Sequence, residues 1–151
     1  MKLFQKILVP TDFSNHSVRA QDVAIDLACR YESAIDLVHV YQAPNYMMPE
    51  GYVIPTAEQT EAMLAEIGRL LNAAQDKARA AGVKQVETTV LQGRTVDELV
   101  AFARTHHNDL IVMGTHGRSG FSHLLLGSVA EHVVRSAPCP VMTVHLDAAK
   151  K

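Results

Sequence analysis

Two kinds of apolar pattern alternate along the chain. Short, nearly continuous apolar runs rich in Val, Ile and Leu recur as "LFQKILVP" (Leu3 to Pro10), "SAIDLVHVY" (Ser33 to Tyr41), "QVETTVL" (Gln85 to Leu91), "DLIVMG" (Asp109 to Gly114) and "PVMTVHL" (Pro140 to Leu146). Their length and β-branched content suit strands. Between them apolar residues return every three or four positions, the period of a helix with one buried face. The first helical stretch is capped by Ser14 and carries Val18, Ala20, Val23, Ala24, Leu27 and Ala28 to about Tyr31. The second opens with Thr56 and Gln59 in capping-box spacing, buries Met63, Ile67, Leu70, Leu71, Ala74 and Ala78, and stops at Gly82. Thr95 with Glu98 predicts another capping box, ahead of Val96, Leu99, Val100 and Phe102. A last helix spans about Ser128 to Ser136 and is broken by "APCP". The segment from Gln42 to Pro55 holds three prolines and a glycine and reads as a loop, the segment expected to be most mobile.

This βαβαβαβαβ alternation predicts an α/β fold, a five-stranded parallel sheet with helices on both faces. Right-handed crossovers favour the order 3-2-1-4-5, with a switch point between strands one and four. Ligands of open α/β sheets bind outside the carboxyl ends of the strands at such a point. The loops that meet there are "PTDFS", after strand one, and the glycine-rich stretch that follows strand four.

Composition narrows the classes. With 151 residues the chain suits a single domain spanning 1–151, large enough for a core without metal or disulfide support. A formal net charge of −2, from 14 Lys+Arg and 16 Asp+Glu, offers no basic stripe for nucleic acid. The two cysteines, Cys29 and Cys139, have no ligand spacing and read as buried free thiols. The N-terminal apolar run meets Pro10 and Asp12 before a signal sequence develops, and no other run approaches the ~20 residues of a membrane span. The chain is therefore expected in the cytoplasm, without membrane insertion.

The chemistry concentrates in "MGTHGRSGFSHLLLGSV", Met113 to Val129. Gly114, Gly117 and Gly127 let backbone approach a ligand closely, and the free N–H groups around Ser128 and Val129 would favour an anion. Arg118 adds a charge, Ser128 a hydroxyl, and Asp12 a carboxylate for a ribose hydroxyl or a metal-bound water. Structural readings stand beside these. Ser128 with Glu131 is itself a capping box, Asp12 can cap the first helix with Ser14, Arg118 can be a solvated charge, and Gly120 a flexible loop residue. No GxxxxGK[ST] or GxGxxG occurs, and "GFSHL" around Ser122 is no nucleophile elbow. Among eight histidines, His106 and His107 suit a helix end, while His39 and His145 lie in strands without a partner at ligand spacing. His116 and His123 flank the phosphate-like site.

The spacing Gly114-x2-Gly117-x9-Gly127-Ser128 resembles the G-2x-G-9x-G-[S/T] signature of the universal stress protein family, ATP-binding branch. "KILVPTDFS" and "APCPVMTV" resemble that family's opening and ending, so the likeness covers essentially the whole chain. It implies a Rossmann-like, adenine nucleotide alpha hydrolase-like domain that binds ATP at the switch point, with Mg²⁺ or Mn²⁺ held through the phosphates, and forms a homodimer through the final strand. The implied nucleotide set places Pro10, Thr11, Asp12 and Val40 near adenosine. Met113, Gly114, His116, Gly117, Arg118, Gly127, Ser128 and Val129 complete it around ribose and phosphates. Arg94 stands where members often have proline. Phosphoryl transfer needs a positioned base and several cations. With Arg118 the one evident loop cation, the expectation is a nucleotide-responsive regulator with at most slow hydrolysis, the alternative being a dimeric stress scaffold that binds protein partners without nucleotide.

Overall fold

The computed structural model describes residues 3–43, 46–116 and 126–146. In chain order the elements are β1 (Lys6–Pro10), α1 (Asn15–Tyr31), β2 (Ala34–Tyr41), β3 (Tyr46–Met48), β4 (Gly51–Val53), α2 (Ala57–Ala80), β5 (Val86–Gln92), α3 (Thr95–Thr105), β6 (Leu110–Gly114), α4 (Ser128–Ser136) and β7 (Val141–Val144). The main sheet runs β5-β2-β1-β6-β7 and every neighbouring pair is parallel. Counting only these five strands, this is the order 3-2-1-4-5. The extra strands, β3 and β4, form an antiparallel hairpin inside the segment read as a loop. Pro49 sits in the hairpin's turn and Pro55 lies beyond its strands, so neither breaks the pairing, and Pro44 lies outside the described residues.

Alternation along β1 explains the unbroken apolar runs. Ile7 and Val9 face one side of the sheet, in a core shared with α1 and α2, while Leu8 faces the other, with Leu99, Phe102, Ala103, Ala130 and Val133 of α3 and α4. All three β1 residues are fully buried, as a strand covered on both faces requires.

The helices begin mostly where expected. Ser14 caps α1, its hydroxyl accepting the Ser17 N–H at 3.3 Å, and the Thr56–Gln59 capping box is complete. The buried face of α1, however, consists of Ser17, Ala20, Gln21, Ala24, Ile25 and Ala28, while Val18 is 40% exposed. Small residues let the helix lie close to the sheet, and Gln21 is buried because its amide donates to the Ala74 carbonyl of α2 at 2.8 Å. The expected Thr95–Glu98 box is absent. Arg94 occupies the cap without a side-chain bond, and the Glu98 carboxylate lies against Gly93, 2.6 Å from where a Cβ would stand. Cys29 also departs from expectation: it is exposed, and Cys139 is half-buried.

At the amino ends of the strands, the buried Asp36 carboxylate is held by the Lys6 ammonium at 3.0 Å and the Asn108 amide at 2.8 Å. Asp109 accepts the backbone N–H groups of Gln5 and Lys6 at 2.7 and 3.0 Å, which ties the start of β1 to the start of β6. Among the described residues no helix is long and apolar enough to cross a membrane.

Candidate functional site

The carboxyl ends of β1 and β6 lie side by side, because Ile7 and Leu8 pair with Leu110 and Ile111. Beyond Pro10, the last residue of β1, the chain enters a tightly held turn. The Thr11 N–H donates to the Val38 carbonyl at 2.9 Å, and its buried hydroxyl donates to Ser17 Oγ at 3.1 Å while accepting the Phe13 N–H at 3.1 Å. Asp12 Oδ1 accepts the Ser14 N–H at 3.0 Å, so this carboxylate shapes the turn. Phe13 is left-handed, φ 64°, a conformation that costs a non-glycine residue roughly 1–2 kcal/mol. Its ring stacks on His39 with centroids 4.8 Å apart, and His39 Nδ1–H donates to the Thr11 carbonyl at 2.7 Å. Strand β2 thus braces the turn from the side.

Two glycines of the second stretch, Gly114 and Gly127, make close protein contacts. A Cβ on Gly114 would stand 2.9 Å from the His16 carbonyl carbon and Cβ, so the missing side chain lets the first turn of α1 rest on the end of β6. A Cβ on Gly127 would stand 2.9 Å from the Thr115 carbonyl oxygen, which accepts the Gly127 N–H at 2.7 Å. Gly127 has ordinary torsions, φ −61° and ψ 154°; close approach, not backbone freedom, selects glycine there.

Gly127 is also the N-cap of α4, without a side-chain cap bond. The anticipated Ser128–Glu131 capping box does not form: Ser128 is the first helical residue, and Glu131 pairs with Arg135 at 2.9 Å. With glycine in the cap, no side-chain cap bond forms among the described residues, and α4 presents its first-turn N–H groups at the end of β6 with the positive pole of its dipole. Val129 is 37% exposed beside them. The Ser128 carbonyl is engaged by His132 Nδ1–H at 2.6 Å.

The remaining expected residues are distributed as follows. Val40 lies in β2 and packs against the α3-side core, to which the Met113 side chain also belongs. Gly117, Arg118, Gly120, Ser122 and His123 lie outside the described residues. His116 is half-buried, its Nδ1 3.0 Å from the Thr115 hydroxyl and its ring 5.4 Å from that of His16. The pattern gave no sign of His16, which is neither a cap nor part of the buried helix face; only the packing of α1 on Gly114 brings it here. His145, just past β7, stands 3.3 Å from the Thr115 hydroxyl. Among the described residues no three His, Cys, Asp or Glu side chains are grouped to hold a metal ion.

The sequence profile of the Universal stress protein family matches residues 3–145. A universal stress protein of Methanocaldococcus jannaschii is 37% identical over 145 residues, covering 94% of this chain and 82% of its own. A universal stress protein solved in complex with cAMP is 31% identical, with a TM-score of 0.72 and coverage of 94% of this chain and 97% of its own. The Archaeoglobus fulgidus universal stress protein in complex with dAMP, 23% identical, has the same fold, with a TM-score of 0.66 and coverage of 95% and 98%. On the profile match and the archaeal relative together, the chain belongs to the universal stress protein family.

Proposed function

We propose that the chain binds ATP at the switch point between β1 and β6 and acts as a nucleotide-responsive regulator, with at most slow hydrolysis. The observation that carries this reading is the α4 N-terminus: glycine in the cap, no side-chain acceptor, and docking on the Thr115 carbonyl at the end of β6. Such an end binds phosphate through backbone N–H groups and the helix dipole together. Its Ser128 hydroxyl is not the N-cap of the helix, which supports a ligand role for that residue.

In this reading the rigid turn of Pro10, Thr11 and Asp12 lies against adenosine with Val40. Gly114, His116, Gly127, Ser128 and Val129, with Met113 beneath and Gly117 and Arg118 from the glycine-rich stretch, surround ribose and phosphates. The cAMP and dAMP complexes of similar proteins support an adenine ligand. Mg²⁺ or Mn²⁺ would come with the phosphates, whose charge it would offset. The outward edge of β7 supports a homodimer. Freshly purified protein, denatured and analysed by mass spectrometry, is expected to release an adenine nucleotide. Release of none, with no ATP affinity by calorimetry, would favour the nucleotide-independent scaffold instead.

A further inference from the structure

We propose that nucleotide affinity is proton-linked through a partly buried chain of side chains, His16, His116, Thr115 and His145, and tightens as pH falls. The inference rests on the nucleotide reading above. The rings of His16 and His116 lie 5.4 Å apart at 54°, and His16 Nδ1 and His116 Nε2 are both buried without a hydrogen-bond partner among the described residues. Unpartnered buried nitrogens are rare in native proteins and call for a functional account. On its other side, His116 Nδ1 is 3.0 Å from the Thr115 hydroxyl, which is 3.3 Å from His145 Nδ1.

Thr115 is fully buried, and its hydroxyl has one proton to share between two imidazoles. When that proton goes to His145 Nδ1, His116 Nδ1 must carry the N–H that donates to Thr115. A neutral His116 then has a bare lone pair on Nε2, beside the His16 ring. In the proposed linkage, the proton taken up on binding adds at this atom.

The charge so formed has a natural partner. A Cβ on Gly127 would stand 3.4 Å from His116 Cα, so the backbone that carries the His116 ring lies against the cap of α4, where the phosphates dock in the proposed complex. The N-terminus of α4 is the positive pole of its dipole and repels an added proton, whereas a bound phosphate attracts it. Binding therefore takes up a proton, and by linkage affinity rises as pH falls through the imidazole range. Other titratable groups on the surrounding elements, among the described residues, are already engaged. Asp12 accepts from Ser14, His39 donates to Thr11, Glu131 pairs with Arg135, and His132 donates to Ser128.

The test uses cAMP, a phosphodiester whose single charge does not change near neutrality, titrated calorimetrically in buffers of different ionisation enthalpy. Affinity is expected to rise severalfold from about pH 8 to about pH 6, with net proton uptake, as protonation linked to binding requires. His16→Asn and Thr115→Val should each flatten that slope while retaining binding at the higher pH. Wild-type binding that is flat with pH and takes up no proton overturns the proposal. So does a slope unchanged in both variants. No cAMP or ATP binding at any pH would remove the nucleotide reading itself, and this inference with it.

Discussion

A methyl group at position 127 would meet the Thr115 carbonyl oxygen at 2.9 Å, before any ligand arrives. Gly127→Ala is therefore expected to destabilise the fold by roughly 1–3 kcal/mol in urea melts, the usual cost of overpacking; unchanged stability would show that the α4 cap can retreat freely. Ser128→Ala asks a different question. Because Ser128 does not cap α4, its loss should leave stability within about 0.5 kcal/mol, the range of an ordinary surface substitution. ATP affinity should nonetheless fall; a stability loss near 1 kcal/mol with intact affinity is the signature of a cap and would refute the assignment. Sequence spacing located this stretch but left Ser128 open, since a capping box and a phosphate hydroxyl leave the same trace, and contact between distant backbones leaves none. The thiols show the same limit. Burial, reinforced by the Asp109 carboxylate, pushes the Cys139 thiol up, so its reactive thiolate forms only at higher pH. Maleimide near neutral pH should label the exposed Cys29 first, and Cys139 should catch up as pH is raised.

At the scale of elements, the strands were readable because each central one is buried on both faces and must be apolar throughout. The caps of α1 and α2 were readable because their bonds are local. The hairpin was not, since its prolines fall at the turn and outside its ends, where they signal a loop equally well. The buried face of α1 was displaced for a tertiary reason: Gly114 and the Gln21–Ala74 bond fix how the helix lies, and Val18 turns outward. Nor did pattern reveal that Lys6 in β1 and Asn108 before β6 converge on Asp36 in β2. Lys6→Met should leave a buried carboxylate short of its counter-charge and cost roughly 3 kcal/mol in urea melts. A neutral Asp36→Asn beside it should recover part of the loss; no recovery would show that Lys6 acts through packing alone.

At the scale of the whole molecule, β7 stands at the edge of its sheet, with one neighbour among the described residues. The carbonyls of Pro140 and Val144 accept from Ile111 of β6 and from Thr115 just beyond it, so strand alternation points the backbone groups of Val141 and Thr143 outward. Val141 packs into the core, which makes Thr143→Pro the cleaner probe of the proposed homodimer. It removes an outward N–H, a substitution an edge tolerates, and should yield monomer by solution scattering; a persistent dimer would place the interface elsewhere. Bringing β1, β6 and the cap of α4 to one end of the sheet matters for function only if nucleotide binds there. Denaturant melts with and without ATP test that claim most directly. ATP at about one hundred times its dissociation constant should stabilise the wild-type protein by roughly 2.7 kcal/mol through mass action, and Ser128→Ala by distinctly less at the same concentration. Identical melts with and without millimolar ATP, from protein that carries no nucleotide, would contradict the account.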